Sequence, residues 1–305
     1  MKKCLILFLT ALQILSARAE SYFCKQIGID NGLSLSAVTD ISYDGRGALW
    51  IGTRFGLNEY RNAKIRTFND DGSGRIQGNY INMIHNDSRG GLWVSTDKGL
   101  FTYDLSTDAF TMLSESPVTC ALNSDNGIWF GSHFGLEFYS FAGGTLTGGD
   151  SDVYSDYLAL YDYDGKVLSL DKRTGLVLDS LAIDLPELEG SQIMASALDG
   201  DILYLSLLRR GLIGFDLKKQ RTVFSLRSGE NGFPTEPLLA LMVYDGQLWM
   251  GFDGASVRIL DPKSRSARQV QPRPGRPGER IPPSVTNSTP IPSATSGSAA
   301  SALEL

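Results

Sequence analysis

Side chains that carry out catalysis are scarce in this chain. Its 305 residues include only two histidines and three cysteines. A serine or cysteine nucleophile needs a histidine placed beside it, and only His85 and His133 could serve. No Cys-x-x-Cys pair indicates zinc or redox chemistry, so no cofactor or metal is expected. Three cysteines are too few for a disulfide scaffold, and we expect Cys24 and Cys120 to be separate buried thiols.

The chain as a whole also lacks an excess of basic residues, and its body lacks long apolar stretches. The formal net charge is −6 at pH 7. Binding to phosphate backbones needs clustered lysine and arginine, so no nucleic-acid partner is expected. Beyond the first twenty residues, no apolar run is long enough to cross a bilayer. We therefore expect no membrane span in this chain.

The N-terminus has the pattern of a secretory signal. Two lysines precede an apolar run at 4–15, and Ala17 and Ala19 complete a small-residue cleavage site. We expect residues 1–19 to be a signal peptide and the mature protein to begin at Glu20. The pattern predicts export to the periplasm.

The C-terminal end has a different composition from the rest. Residues 263–305 contain seven of the twelve prolines and no aromatic residue. This composition cannot bury enough apolar surface to offset the loss of chain entropy. We therefore predict a disordered tail over 263–305, beyond a folded domain at 20–262.

A repeat fills the central region. Six segments resemble Gly-x-Leu-Trp-Ile-Gly-Thr-x-x-Gly-Leu, with a spacing near 40 residues. Their anchor positions are Trp50, Trp93, Trp129, Leu168, Tyr204 and Trp249. Each copy predicts four short strands separated by glycine-rich turns, which indicates an all-β fold, a β-propeller of about six four-stranded blades.

Two features of the repeat have a structural interpretation. The tryptophans are expected to pack between neighbouring blades, and Gly52, Gly131 and Gly251 to let the next blade approach closely. The recurring Asp-Gly pairs are interpreted as turns, because they lack the spaced oxygen ligands that calcium needs.

The first copy is the most informative about family. Asp30-Asn-Gly-Leu-Ser34, followed by the motif at 44–57, resembles the two-component regulator propeller repeat. That repeat fills the periplasmic sensor half of hybrid two-component systems. The resemblance implies two seven-bladed propellers, a small β-sandwich, a membrane helix and a histidine kinase. It also implies that the sensor responds to glycan fragments.

The chain departs from that pattern. Six copies predict an incomplete seven-bladed ring, and we interpret the chain as a truncated or frame-disrupted sensor that lacks the kinase half. His85 lacks the context of a phosphoacceptor histidine and is expected to be structural. Residues 22–27 are predicted to form an outer strand. Either six blades close into a ring, with 22–27 in place of 268–270 as the outer strand of blade six, or the six blades form an open arc. A homodimer is expected only of a complete sensor.

A ligand face is predicted where the loops between second and third strands lie beside the loops that lead into each blade. Aromatic rings beside cationic groups there suit an oligosaccharide. The candidate residues are Arg54, Phe55, Tyr80, Lys98, His133, Phe134, Tyr157, Arg173, Arg209, Arg210 and Phe252. Two alternatives stay open, a protein-interaction scaffold and a propeller hydrolase or lyase. No carboxylate pair is marked for catalysis, so we expect no enzyme.

Overall fold

The computed structural model describes residues 21–23, 27–44, 46–72, 75–149, 154–172, 175–179, 181–185, 188, 191–254 and 257–273. The predicted signal peptide and most of the predicted tail lie outside the described residues. Cys24 lies outside them too. Cys120 is a buried free thiol, and its burial raises its pKa to about 12, so it is unreactive at neutral pH.

Six four-stranded antiparallel sheets form the body of the protein, and each is a simple meander. Blade one contains β2 (Val38–Tyr43), β3 (Leu49–Thr53), β4 (Gly56–Arg61) and β5 (Lys64–Phe68). Blade two contains β6 (Ile81–Asn86), β7 (Leu92–Thr96), β8 (Gly99–Asp104) and β9 (Ala109–Ser114). Blade three contains β10 (Val118–Ser124), β11 (Gly127–Ser132), β12 (Gly135–Ser140) and β13 (Thr145–Gly148).

The second half of the body repeats this plan. Blade four contains β14 (Tyr157–Tyr163), β15 (Lys166–Asp171), β16 (Gly175–Leu178) and β17 (Leu181–Ile183). Blade five contains β18 (Ile193–Asp199), β19 (Ile202–Leu207), β20 (Gly211–Asp216) and β21 (Arg221–Arg227). Blade six contains β22 (Leu238–Tyr244), β23 (Gln247–Phe252), β24 (Val257–Asp261) and β25 (Ser266–Gln269). The chain is therefore the all-β propeller of six four-stranded blades that the repeat predicts.

Aspartates organise the turns between first and second strands. Asp164 and Asp245 adopt left-handed φ angles of 51°, each followed by a glycine that is also left-handed, as two-residue hairpin turns require. Asp44 works differently. Its Oδ1 accepts backbone N–H groups at distances of 2.8 and 3.0 Å, and its Oδ2 accepts the indole N–H of Trp50 at 3.4 Å. Both arrangements agree with the interpretation of these aspartates as turn residues.

Neighbouring blades are joined by the second-strand tryptophans. Trp50 is 1% exposed and packs against Phe68 of its own blade and Tyr103 of blade two. Trp93 likewise packs against Phe130 of blade three, with ring centroids 5.4 Å apart. Trp129 is only half-buried, and its ring contact is with Phe138 inside its own blade. The predicted packing between blades is therefore confirmed at Trp50 and Trp93, whereas the described ring contact of Trp129 lies within its own blade.

Two glycines lie where the next blade comes closest. A Cβ added at Gly52 would lie 2.7 Å from Cγ2 of Ile81 in blade two, and one at Gly131 would lie 2.8 Å from Cβ of Tyr157 in blade four. Both distances are far shorter than carbon atoms tolerate. The predicted close approach is confirmed at these two glycines, and that at Gly251 stays a prediction.

Hydrogen bonds also link the first strands of neighbouring blades. The N–H of Ile84 donates to Oδ2 of Asp40 at 2.6 Å, which joins blades one and two. His85 Nε2 lies 2.9 Å from Oδ1 of Asn123, which joins blades two and three. His85 thus has the structural role that its sequence context predicts, and burial lowers its pKa.

The two ends of the described chain meet, but not as expected. β1 (Ser21–Phe23) pairs in parallel with β26 (Gln271–Arg273) in a separate two-stranded sheet. Of the two predicted arrangements, the displacement of the outer strand of blade six is wrong, because β25 keeps its ladder with β24. A bond of 3.2 Å from Arg268 to the side chain of Gln247 reinforces that position.

The blades follow one another in a series. Within the described residues, first strands of successive blades lie in close contact from β2 to β22, whereas β22 and β2 do not share a contact of similar extent. The apolar clusters likewise lie between successive blades. The incomplete seven-bladed ring stays a prediction.

Candidate functional site

One face of the propeller, here called the loop face, is formed by the second-to-third-strand loops and the loops between blades. Backbone hydrogen bonds of 2.7–3.0 Å connect the two kinds of loop around the body. They join Gly56 to Asn79, Asp97 to Tyr80, Ser155 to His133, Lys172 to Asp156, Leu208 to Gln192 and Asp253 to Pro237. The shared face that the sequence predicts is therefore built by direct contacts.

The last residue of the second strand shapes the first of these loops. The hydroxyl of Thr53 accepts the N–H of Phe55 at 3.0 Å and donates to the carbonyl of Gly56 at 3.0 Å. Gly56 has a φ of 114°, and a Cβ there would lie 2.7 Å from the carbonyl oxygen of Phe68. This tight turn explains the repeating Thr-x-x-Gly sequence, and it leaves Arg54 and Phe55 exposed at its tip.

Four candidate residues lie close together between blades one and two. The guanidinium of Arg54 lies 5.9 Å from the ring centroid of Tyr80. Phe55 is 53% exposed and Tyr80 is 39% exposed. Tyr80 is fixed by paired bonds with Asp97, whose loop also carries the exposed Lys98. Rings and cations are therefore presented together at this point of the loop face.

A second group lies between blades three and four. His133 stacks on Tyr154 with ring centroids 4.6 Å apart and an interplanar angle of 15°. The Nδ1–H of His133 donates to the carbonyl of Ser155 at 2.9 Å, because a carbonyl can only accept. Tyr154 is 55% exposed and Phe134 is 53% exposed. The neighbouring backbone thus holds this aromatic platform in place.

Two candidate residues are turned inward. Phe252 is fully buried, and its ring packs on Phe233 at 5.5 Å. It occupies the strand-end position that Thr53 holds in blade one, and that position faces the core. Tyr157 is half-buried where Gly131 meets blade four, and burial raises its pKa. Neither ring is placed to stack on a ligand from solvent.

The remaining candidates lie farther along the chain. Arg209 and Arg210 are exposed at the tip of the loop in blade five, where Arg209 has a φ of 62°. Arg173 lies outside the described residues. Arg209 and Arg210 both lie in blade five, whereas the two aromatic groups lie between blades one and two and between blades three and four.

Sequence reasoning missed two features of the loop face. Tyr154 belongs to an inter-blade loop that matches no repeat position, so only its exposed aromatic character could have marked it. Each first strand also has a register shift near its beginning, at the end that adjoins the loop face. Bulges of this kind re-aim side chains at the rims of β-structures.

Aromatic exposure is concentrated on this face. Six large hydrophobic side chains of the described residues are markedly exposed, and four of them are aromatic. All four aromatic residues, Phe55, Tyr80, Phe134 and Tyr154, belong to the loop face. Among the described residues, no group of three or more histidine, cysteine, aspartate or glutamate side chains could hold a metal ion. The arrangement therefore suits binding by stacking and hydrogen bonding.

Comparisons with known proteins agree with this architecture. Residues 65–98 match the family model described as two component regulator propeller. No curated protein matches the sequence. The protein is a β-propeller that contains the two-component regulator propeller repeat.

The solved structures that resemble it come from several kinds of protein. The extracellular domain of the hybrid two component system BT3049 from B. thetaiotaomicron superposes with a TM-score of 0.67 at 20% identity. The match covers 83% of this chain but only 37% of that domain. The WD40 repeats of RRP9 superpose at 0.58 and 10% identity over 78% and 81% of the two chains. The designed protein Ika8 superposes at 0.54 and 15% identity over 79% and 74%. These likenesses show the fold.

Within the part of the chain that the structure describes, no helix has the length and apolar character to span a bilayer.

Proposed function

We propose that this protein is the extracytoplasmic recognition propeller of a two-component sensor and that it binds a glycan fragment on its loop face. The proposal rests mainly on one observation, the placement of four exposed aromatic rings on a single face beside Arg54, Lys98 and His133. Exposed apolar side chains that are grouped on one face are typical of interaction sites.

The chemistry of the two aromatic groups supports a sugar ligand. The apolar faces of a pyranose ring pack well on phenyl and phenol rings, while its hydroxyls and any carboxylate accept bonds from guanidinium and ammonium groups. Both groups are pre-organised by backbone hydrogen bonds, which lowers the entropy cost of binding. The family of the repeat supports the role of sensor, and the extracytoplasmic location follows from that role.

A titration of the full chain with a panel of neutral and acidic oligosaccharides tests the proposal. We expect saturable binding of at least one member and no turnover of any. Phe55→Ala should weaken that binding about five- to tenfold, since a lost ring contact is worth about 1–1.5 kcal/mol. Leu105→Ala is the matched control for the neutral oligosaccharides, because Leu105 is 39% exposed on the opposite edge, and it should leave their affinity unchanged.

Three outcomes would contradict the proposal. Absence of binding across the panel would favour the protein-interaction scaffold. Release of reducing ends from the panel would favour a hydrolase. Equal effects of the Phe55 and Leu105 substitutions would place the ligand away from the loop face.

A further inference from the structure

A groove on the edge opposite the loop face is not explained by glycan recognition. It has a cavity volume of about 460 Å³ and lies between the outer strands of blades one and two. Three arginines, a tyrosine and two carboxylates line it together with Leu105. The polar residues are Arg46, Arg61, Arg66, Tyr103, Glu59 and Asp108.

The carboxylates of the groove already have donors on both oxygens. Glu59 accepts Nε of Arg61 at 2.9 Å on Oε1 and Nε of Arg66 at 3.1 Å on Oε2. Asp108 accepts the hydroxyl of Tyr103 at 2.5 Å on Oδ1 and Nη1 of Arg66 at 2.9 Å on Oδ2. The negative oxygens are therefore engaged by the wall of the groove itself.

A third carboxylate lies behind the wall. Asp44 accepts Nη2 of Arg61 at 3.1 Å, and its side chain has no exposed surface. Its oxygens also accept the turn N–H groups and the indole of Trp50. Asp44 holds Arg61 in place but cannot contact a molecule in the groove.

Arg46 differs from the other two arginines of the groove in its hydrogen-bond and ion-pair partners. It is exposed, and its Nη2 donates to the carbonyl of Gly90 at 3.0 Å. Within the described residues, no carboxylate lies within ion-pair distance of its guanidinium, whereas Arg61 and Arg66 each contact two. The groove thus offers N–H donors, and Arg46 is its one arginine without a carboxylate in ion-pair contact among the described residues.

We propose that this groove binds a small oxyanion group, a carboxylate, sulfate or phosphate, with Arg46 as the principal charged contact. A guanidinium pairs with two oxygens of such a group in one plane. The flanking arginines are locked by Glu59 and Asp108, so their remaining N–H groups are pre-positioned. The proposal is independent of glycan binding on the loop face.

The test is a titration of the full chain with inorganic sulfate, inorganic phosphate and acetate at constant ionic strength set by chloride. We expect saturable millimolar binding of at least one anion, and the three arms show which oxyanion the groove prefers. Arg46→Gln should weaken that binding about tenfold, because glutamine can still donate to Gly90 but carries no charge.

Arg89→Gln is the matched control. Arg89 occupies the same position in the turn of blade two, but its guanidinium lies 4.4 Å from the ring centroid of Phe141, outside the groove. It should change affinity less than twofold. The proposal is overturned if none of the three anions binds above the chloride background, if Arg46→Gln leaves the affinity unchanged, or if both variants weaken binding equally.

Discussion

The tryptophan at the second strand provides a quantitative test of how the blades are held together. Trp50 is 1% exposed, stacks on Phe68 at 5.8 Å and meets Tyr103 of the next blade edge-on at 5.3 Å. Trp50→Ala removes these contacts and leaves a cavity between blades one and two. It also removes one of the donors to the buried Asp44. Substitutions of this kind cost about 3–5 kcal/mol.

Trp129 provides the control for this substitution, because it occupies the same repeat position as Trp50 but is only half-buried. Its described ring contact is with Phe138 of its own blade, at 4.8 Å. Trp129→Ala should therefore cost less, about 1–2 kcal/mol, in line with the smaller apolar area that it buries.

Urea unfolding followed by far-ultraviolet circular dichroism measures both costs without relying on tryptophan fluorescence. We expect the midpoint of Trp50→Ala to fall well below that of Trp129→Ala at a similar denaturant slope. Equal midpoints for the two variants would refute the assignment of Trp50 as an inter-blade contact.

Three further predictions concern packing, pH and closure. Gly52→Val should destabilise the protein by about 2 kcal/mol or more, because its Cβ would collide with Ile81; a wild-type thermal midpoint would contradict the close approach. Burial lowers the pKa of His85 below its ordinary 6.5, so the unfolded state binds its proton more readily and stability should fall as pH drops below about 6.5, by at most about 1.4 kcal/mol per pH unit. His85→Gln should remove that part of the pH dependence in urea unfolding while His133→Gln retains it, and identical profiles would contradict the role of His85. If six blades form an open arc, the full chain should bind a hydrophobic dye and melt with low cooperativity; a sharp, reversible melt of a dye-negative monomer would show a closed ring.

The repeat made the fold predictable because its spacing carries physical constraints. A buried aromatic residue followed two positions later by glycine requires a close neighbour, and Gly52 shows that neighbour to be the next blade. The Asp-Gly pairs likewise specify turns, through left-handed backbone conformation at Asp164 and Asp245 and through side-chain hydrogen bonds at Asp44. These patterns are local in the sequence, so they can be recognised without knowledge of the three-dimensional structure.

The site was less predictable because its residues depend on features outside the repeat. Phe252 is the last residue of its strand, and the pleat directs its side chain toward the core. The prediction that it lies in a loop is therefore wrong. Tyr154 comes from an inter-blade loop with no repeat pattern, and its stacking on His133 is visible only in the structure. The pairing of 21–23 with 271–273 joins the two ends of the described chain and has no local signal.

The most direct test of ligand recognition is amide hydrogen exchange of the full chain with and without the oligosaccharide that binds in the panel. The account predicts slower exchange in the loop-face segments, at 53–57, 78–81 and 132–135, and unchanged exchange at 103–109 on the opposite edge. Protection confined to 103–109, or spread evenly over all blades, would contradict the claim that the loop face recognises the glycan.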